Sequence, residues 1–150
     1  MSGSAIARCV YRHREPEAKL SLPVMLEAVH AGLPTVVQDD ASGEVSLDEM
    51  LVEHPDTTFI LRVAGDSMMG AGIYDGDLLI VDKSLEPMDG DVVIAALDGE
   101  FTVKRLASDK RGRFLHAENS QYPDIRPIPE GENLIWGVVT GNYHAHRRPR

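Results

Sequence analysis

Serine and lysine can together make a nucleophile without histidine or metal, and this chain sets one of each in patterned surroundings: Gly65-Asp66-Ser67-Met68 and Phe101-Thr102-Val103-Lys104-Arg105-Leu106. A serine hydroxyl needs a base, and a neutral lysine amine can be that base. Bringing a lysine from a pKa of about 10.4 to near 7 takes roughly three units, about 4 kcal/mol, and burial in an apolar pocket is the natural source. Strand alternation places Thr102 and Lys104 on the face opposite Phe101 and Val103, where Val93 and Ala95 of a neighbouring strand can wall the amine in. Ser67 opens the glycine-rich turn Met68-Met69-Gly70-Ala71-Gly72. Such a turn exposes a side chain and aims backbone amides at a developing oxyanion, that of Ser67 first and that of Asp66 second. Taken singly, Ser67 reads as a turn residue and Lys104 as a solvated strand lysine.

The elements that must position this pair are mostly strands. Runs at 58–63, 78–82, 92–97, 100–106, 114–117 and 134–139 are rich in β-branched and apolar residues and are separated by Gly, Pro and Asp. Asp98-Gly99 predicts a type I′ hairpin that pairs 92–97 with 100–106. Upstream, Leu22, Met25, Leu26 and Val29 recur at helical spacing, with Pro23 in the first turn and Gly32 at the C-cap, which predicts a short helix over 22–29. Residues 35–46 read as a polar linker. They end in a capping box, Ser46 with Glu49, before a helix with Leu47, Met50 and Leu51 on one face and His54-Pro55 at its end. The expected organisation is a mobile N-terminal arm and linker over 1–45, a mainly β domain of antiparallel strands over 46–141, and an irregular basic tail over 142–150.

At 150 residues, with 43% hydrophobic and 26% charged residues, the chain suits one compact domain plus an arm. The net charge is −9. Residues 1–31 hold four Lys/Arg against three Asp/Glu, so residues 32–150 carry −10. An acidic body disfavours direct, non-specific DNA binding and leaves DNA to be reached through partners. One cysteine, Cys9, allows no internal disulfide, and the start of the chain lacks the apolar stretch of a secretory signal, so the cytoplasm is the expected compartment. The longest apolar run, 92–97, is too short to cross a bilayer. His144 and His146 with Cys9 or His13 make a poor metal set, and solvated tail histidines are the simpler reading; no metal and no cofactor are expected. No phosphate-binding loop or dinucleotide fingerprint is present.

The combination Gly65-Asp66-Ser67-Met68, Asp75-Gly76-Asp77-Leu78-Leu79-Ile80-Val81-Asp82, Gly90-Asp91-Val92-Val93-Ile94-Ala95-Ala96 and Asp98-Gly99-Glu100-Phe101-Thr102-Val103-Lys104 resembles the self-cleaving LexA/UmuD-like proteins, peptidases of the S24 type. The resemblance runs from about Pro23 to Val139. It implies an S24/LexA-type peptidase domain in which Ser67 is the nucleophile, Lys104 the general base and Ala31-Gly32 the self-cleaved bond. It also implies stimulation by a RecA–single-stranded DNA filament, a homodimeric shortened form, and service to a UmuC-like Y-family polymerase in translesion synthesis. Ala31 and Gly32 are small enough for a tight cleft, and Val29 is the expected apolar anchor two residues back. Residues 32–66, if flexible, span roughly 33 Å root-mean-square, so reach does not limit an attached substrate. Two packed helices of a DNA-binding domain are not legible before the bond, which weakens a repressor. The remaining rivals are a LexA-like repressor without its own DNA-binding domain, a non-cleaving interaction module, and a signal-peptidase-like enzyme that would need a membrane segment.

Overall fold

The structure, a computed structural model, describes residues 6–12, 20–25, 31–32, 41–126 and 134–147. In chain order its regular elements are β1 (Ile6–Arg12), β2 (Ser21–Met25), β3 (Ala41–Ser46), α1 (Leu47–Leu51), β4 (Thr58–Ala64), β5 (Leu78–Asp82), β6 (Val92–Leu97), β7 (Glu100–Asp109), β8 (Gly112–His116) and β9 (Ile135–Tyr143). They fall into two compact units, one of Arg14–Glu53 and one of Met1–His13 with His54–Arg150.

The larger unit is a seven-stranded antiparallel sheet in the order β1-β4-β5-β9-β6-β7-β8. Every strand expected after Pro55 forms, and the mainly β class holds. Register shifts interrupt the ladders at Cys9/Tyr11, Ile80/Val81 and Ile94/Ala95, and such bulges bend and twist a sheet. β6 and β7 pair from Val92↔Arg105 to Leu97↔Glu100. Between them Asp98 and Gly99 both have positive φ, 50° and 78°, as a type I′ turn requires.

β6 is buried on both faces. Ile94 joins a core with Leu61, Val63, Met68, Leu79, Val81 and Val103, while Val93 and Ala95 join a second core with Leu106, Leu115 and Val138. β7 follows the same alternation, with Val103 in the first core and Leu106 in the second. Side chains on either face of this hairpin are therefore removed from water.

The smaller unit departs from the sequence expectation. Residues 21–25 are not helical but a strand, paired from Ser21↔Ser46 to Met25↔Ala41. Leu22 and Val24 also fit a period of two, and Pro23 is tolerated because a two-stranded ladder leaves each strand an unpaired edge. Residues 26–30, the rest of that expected helix, lie outside the described residues. Residues 41–46 form the partner strand rather than a linker, since cross-strand pairing supplies an order their own pattern lacks. α1 starts after Ser46 as expected, but the Ser46 side chain makes no capping bond. Ser46 is buried and serves as the last ladder residue of β3, so the capping box does not form.

Two buried aspartates pin the ends of β5. Asp82 accepts from Thr57 Oγ1 (2.8 Å) and pairs with His54 Nδ1 (2.6 Å); burial pushes its carboxyl up, but these bonds and those from Ser84 outweigh it and bring the pKa down to about 2. Asp77 accepts from Asn142 Nδ2 (3.0 Å) and the Tyr74 amide (2.9 Å) and bonds His144 Nδ1. The expected irregular tail thus begins later than Asn142. Asn142 and Tyr143 complete β9, and His144 is held because a buried carboxylate needs donors.

Gly137 in β9 tests the packing between strands: a Cβ there would sit 2.6 Å from Val81 Cγ1. Gly137→Ala is expected to lower stability by about 1–3 kcal/mol, read as a lower melting temperature. An unchanged melting temperature would show that β5 and β9 can separate without cost.

Candidate active site at Ser67 and Lys104

Ser67 belongs to no strand or helix. It lies between Gly65, whose amide donates to Asp75 Oδ1 (2.8 Å), and Met68, which is fully buried in the first core. A 3-10 turn, Met69–Ala71, follows and closes on Gly72 in the left-handed region (φ 77°). Lys104 sits in mid-β7, directly opposite Val93 of β6, and Thr102 stands opposite Ala95. The pocket wall expected from alternation is therefore present.

The structure brings the two side chains together. Lys104 Nζ lies 3.2 Å from Ser67 Oγ, 3.1 Å from Thr102 Oγ1 and 3.1 Å from Val103 O. Ser67 is 0% and Lys104 2% exposed. A charged amine would donate to all of these oxygens, whereas a neutral one donates to two and accepts the Ser67 proton on its lone pair. Burial selects between the two states, since it lowers the Lys104 pKa from 10.5 to about 8. The arrangement can therefore deprotonate a serine under mildly alkaline conditions with no other titrating group.

Asp66, the second expected oxyanion residue, is held by a segment that the sequence reading left aside. Asn119 Nδ2 donates to Asp66 O (3.0 Å), and Tyr122 Oη donates to Asp66 Oδ1 (2.5 Å). The Gly70 amide donates to Glu118 O (2.7 Å), and a Cβ on Gly70 would meet that oxygen at 2.6 Å, so only glycine allows the approach. No local pattern reveals these contacts, which join residues more than 45 positions apart. Ala31 and Gly32 are both exposed and lie in the smaller unit, where Gly32 has φ 126°, a backbone angle that favours glycine. Val29 lies outside the described residues. Of the suggested metal ligands, His144 Nδ1 is bonded to Asp77 and His13 is outside the described residues. Among the described residues, no group of His, Cys, Asp and Glu could hold a metal ion, and no helix is long and apolar enough to cross a membrane.

Burying an amine has a cost that depends on pH. The folded pKa lies below the unfolded one, so between about 8 and 10.5 the unfolded chain binds more protons and stability rises with pH. At pH 7 the penalty is on the order of 3 kcal/mol. Lys104→Met is therefore expected to raise the melting temperature near neutrality, with the advantage shrinking as pH approaches 10.5. A difference independent of pH would show that the lysine is not desolvated.

Residues 23–140 match the Peptidase S24-like family. The chain is 41% identical to Protein MucA of Salmonella typhimurium over 84% of this chain and 86% of that protein. It is 40% identical to Protein ImpA of Shigella flexneri over 85% and 87%. It is also 40% identical to the LexA repressor of Aliivibrio salmonicida over 85% of this chain, but only 60% of that protein. With this likeness spanning both the serine turn and the lysine strand, the chain belongs to the S24 peptidase family and is UmuD-like.

Proposed function

We propose that this chain is a serine peptidase that cuts itself once, between Ala31 and Gly32, and that the cut switches a regulatory subunit of the response to DNA damage. The observation that carries the reading is the buried contact between Lys104 Nζ and Ser67 Oγ at 3.2 Å, with the lysine pKa near 8. Ser67 Oγ attacks the Ala31 carbonyl carbon while its proton passes to Lys104 Nζ. The oxyanion is met by the amides of Ser67 and Asp66, because those from Met69 to Ile73 already donate to protein carbonyls. Collapse breaks the peptide bond, and Lys104 returns the proton to the Gly32 amine. Water, deprotonated by Lys104, then hydrolyses the Ser67–Ala31 ester and frees the Ala31 carboxylate. Val29 is the apolar anchor that seats the bond.

In this reading the cleavable arm and linker occupy 1–45, the peptidase domain 46–141 and the basic tail 142–150. A RecA–single-stranded DNA filament stimulates the cut by promoting docking of the arm. The shortened form is a cytoplasmic homodimer that joins a UmuC-like Y-family polymerase in error-prone translesion synthesis, and it meets DNA only through such partners. Support comes from family membership, from the acidic body and from a base tuned too high for full activity at neutral pH.

Incubation of the full-length chain across pH 7–10 tests the chemistry. Lys104 must be neutral to act, and roughly a tenth is neutral at pH 7, so the rate should rise about tenfold and level off above pH 9. The product should begin at Gly32, be absent in Ser67→Ala and Lys104→Ala, and form more slowly in Val29→Asp. A chain left intact both at high pH and with an activated RecA filament would overturn the reading and favour a non-cleaving interaction module.

Partner capture tests the switch. Cut chain should retain a Y-family polymerase that intact chain binds less well. Equal capture by both forms would mean that the cut is not the regulatory step, and binding of operator DNA by the intact chain alone would favour the repressor.

A further inference from the structure

Ser67 is fixed by contacts on either side of it rather than by a strand or helix of its own. On the C-terminal side Met68 is wholly buried, and its carbonyl accepts from the Ala71 (3.0 Å) and Ile73 (3.3 Å) amides. On the N-terminal side the corresponding hold on Asp66 comes largely from the segment after β8. Asn119 Nδ2 reaches the Asp66 carbonyl at 3.0 Å, and the Tyr122 hydroxyl reaches its carboxylate at 2.5 Å. The segment is itself rigidly set. Asn119 Oδ1 accepts from the Gln121 amide (3.1 Å), which orients the side-chain amide so that its nitrogen faces Asp66. The Tyr122 amide donates to Asn119 O (3.0 Å), and Glu118 O holds the Gly70 amide on the far side of the serine.

The same segment is tied to the strand that carries the base. Arg105, the neighbour of Lys104, donates through Nε to Glu118 Oε1 (2.5 Å) and through Nη1 to Gly90 O (2.5 Å). Residues 118–122 thus touch the nucleophile turn at Asp66 and Gly70 and the base strand at Arg105. A short hydroxyl-to-amine distance between two elements remote in sequence needs such a common reference, because an error near 1 Å is enough to cost about a hundredfold in rate.

We infer that Asn119 and Tyr122 are positioning residues for Ser67, acting through Asp66 to hold the hydroxyl within reach of the Lys104 amine. The inference rests on the reading of Ser67 as nucleophile, but not on the arm being its target. Asp66 also pushes the Tyr122 phenol pKa up through their hydrogen bond, so the phenol keeps its proton, and its contact, under alkaline assay conditions.

The test uses full-length chain with two readouts: self-cleavage, and labelling of Ser67 by a small fluorophosphonate, which needs no arm. Tyr122→Phe and Asn119→Ala are each expected to lower the plateau rate of both reactions about tenfold, the equivalent of one lost hydrogen bond. The midpoint of the pH profile should stay near 8, since the burial of Lys104 is untouched. Tyr122→Phe keeps the ring and decides the matter if Asn119→Ala fails to fold. In a cycle with Asp66→Ala, Tyr122→Phe should add little further loss, because the hydroxyl then has no partner to hold. Unchanged rates, a shifted midpoint, or a loss that tracks a lower melting temperature would each overturn the inference. Labelling that falls in Tyr122→Phe while no chain cuts itself would support positioning and overturn self-cleavage. Absence of labelling and cutting in the wild-type chain would overturn both.

Discussion

The desolvation of one amine is the constraint on which the rest of this structure depends. At its ordinary pKa a lysine is neutral at pH 7 about once in several thousand molecules. At about 8 it is neutral roughly once in ten. Most of that gain comes from burial, and burial in mid-strand is possible only where a sheet is covered on both faces. β6 and β7 are such a place, because Val93 and Ala95 face one core while Ile94 and Val103 face the other. A sheet with one wet face would have left Lys104 hydrated and charged. The hairpin at Asp98-Gly99 matters for the same reason. It fixes the register that sets Val93, and not a polar residue, opposite the amine, and a one-residue slip would exchange the two faces.

The serine obeys a different logic. A nucleophile must be accessible to a carbonyl, so it cannot be locked into a ladder as the lysine is. Its position is assembled from the glycine-rich turn, the buried Met68 and the segment after β8. That division places a rigid base and a separately supported nucleophile on different parts of the chain. Glu118 and Arg105 join the two, as the backbone of one side and the side chain of the other meet at a single segment.

Much of this was legible in the residues. Period-two runs marked the strands of the larger unit, Asp98-Gly99 marked the hairpin, and alternation in Phe101-Thr102-Val103-Lys104 put Thr102 beside the amine that now bonds it. These are signals carried by neighbours in sequence. What was not legible depends on contacts across distance. Leu22 to Met25 satisfies a helical and an extended period equally well, and only the partner strand 41–46 decides between them. Ser46 looked like a cap, yet as the end of that same strand it is buried with its hydroxyl out of capping geometry. Asn119 and Tyr122 lie in an aperiodic stretch whose role appears only when β8 delivers it to Asp66.

The topology gives a proposed cut at Ala31-Gly32 a physical meaning beyond loss of a peptide. The bond falls between β2 and β3, so β1 and β2 lie on one side of it and their partners β4 and β3 on the other. While the chain is intact these ladders are intramolecular and benefit from the high effective concentration of a tether. Once the bond is broken, the hydrogen bonds are the same but the tether is gone, and the fragment 1–31 stays only as long as two short ladders can hold it against dilution. Its departure would bare the paired edges of β4 and β3, and exposed edges are the surfaces on which another strand can add. It would also take a net charge of +1 with it and leave a body of −10. Two unpaired edges on a more acidic surface favour extended, basic partner segments over nucleic acid. A peptide bond so placed couples a single hydrolysis to a change in which strands the sheet can accept.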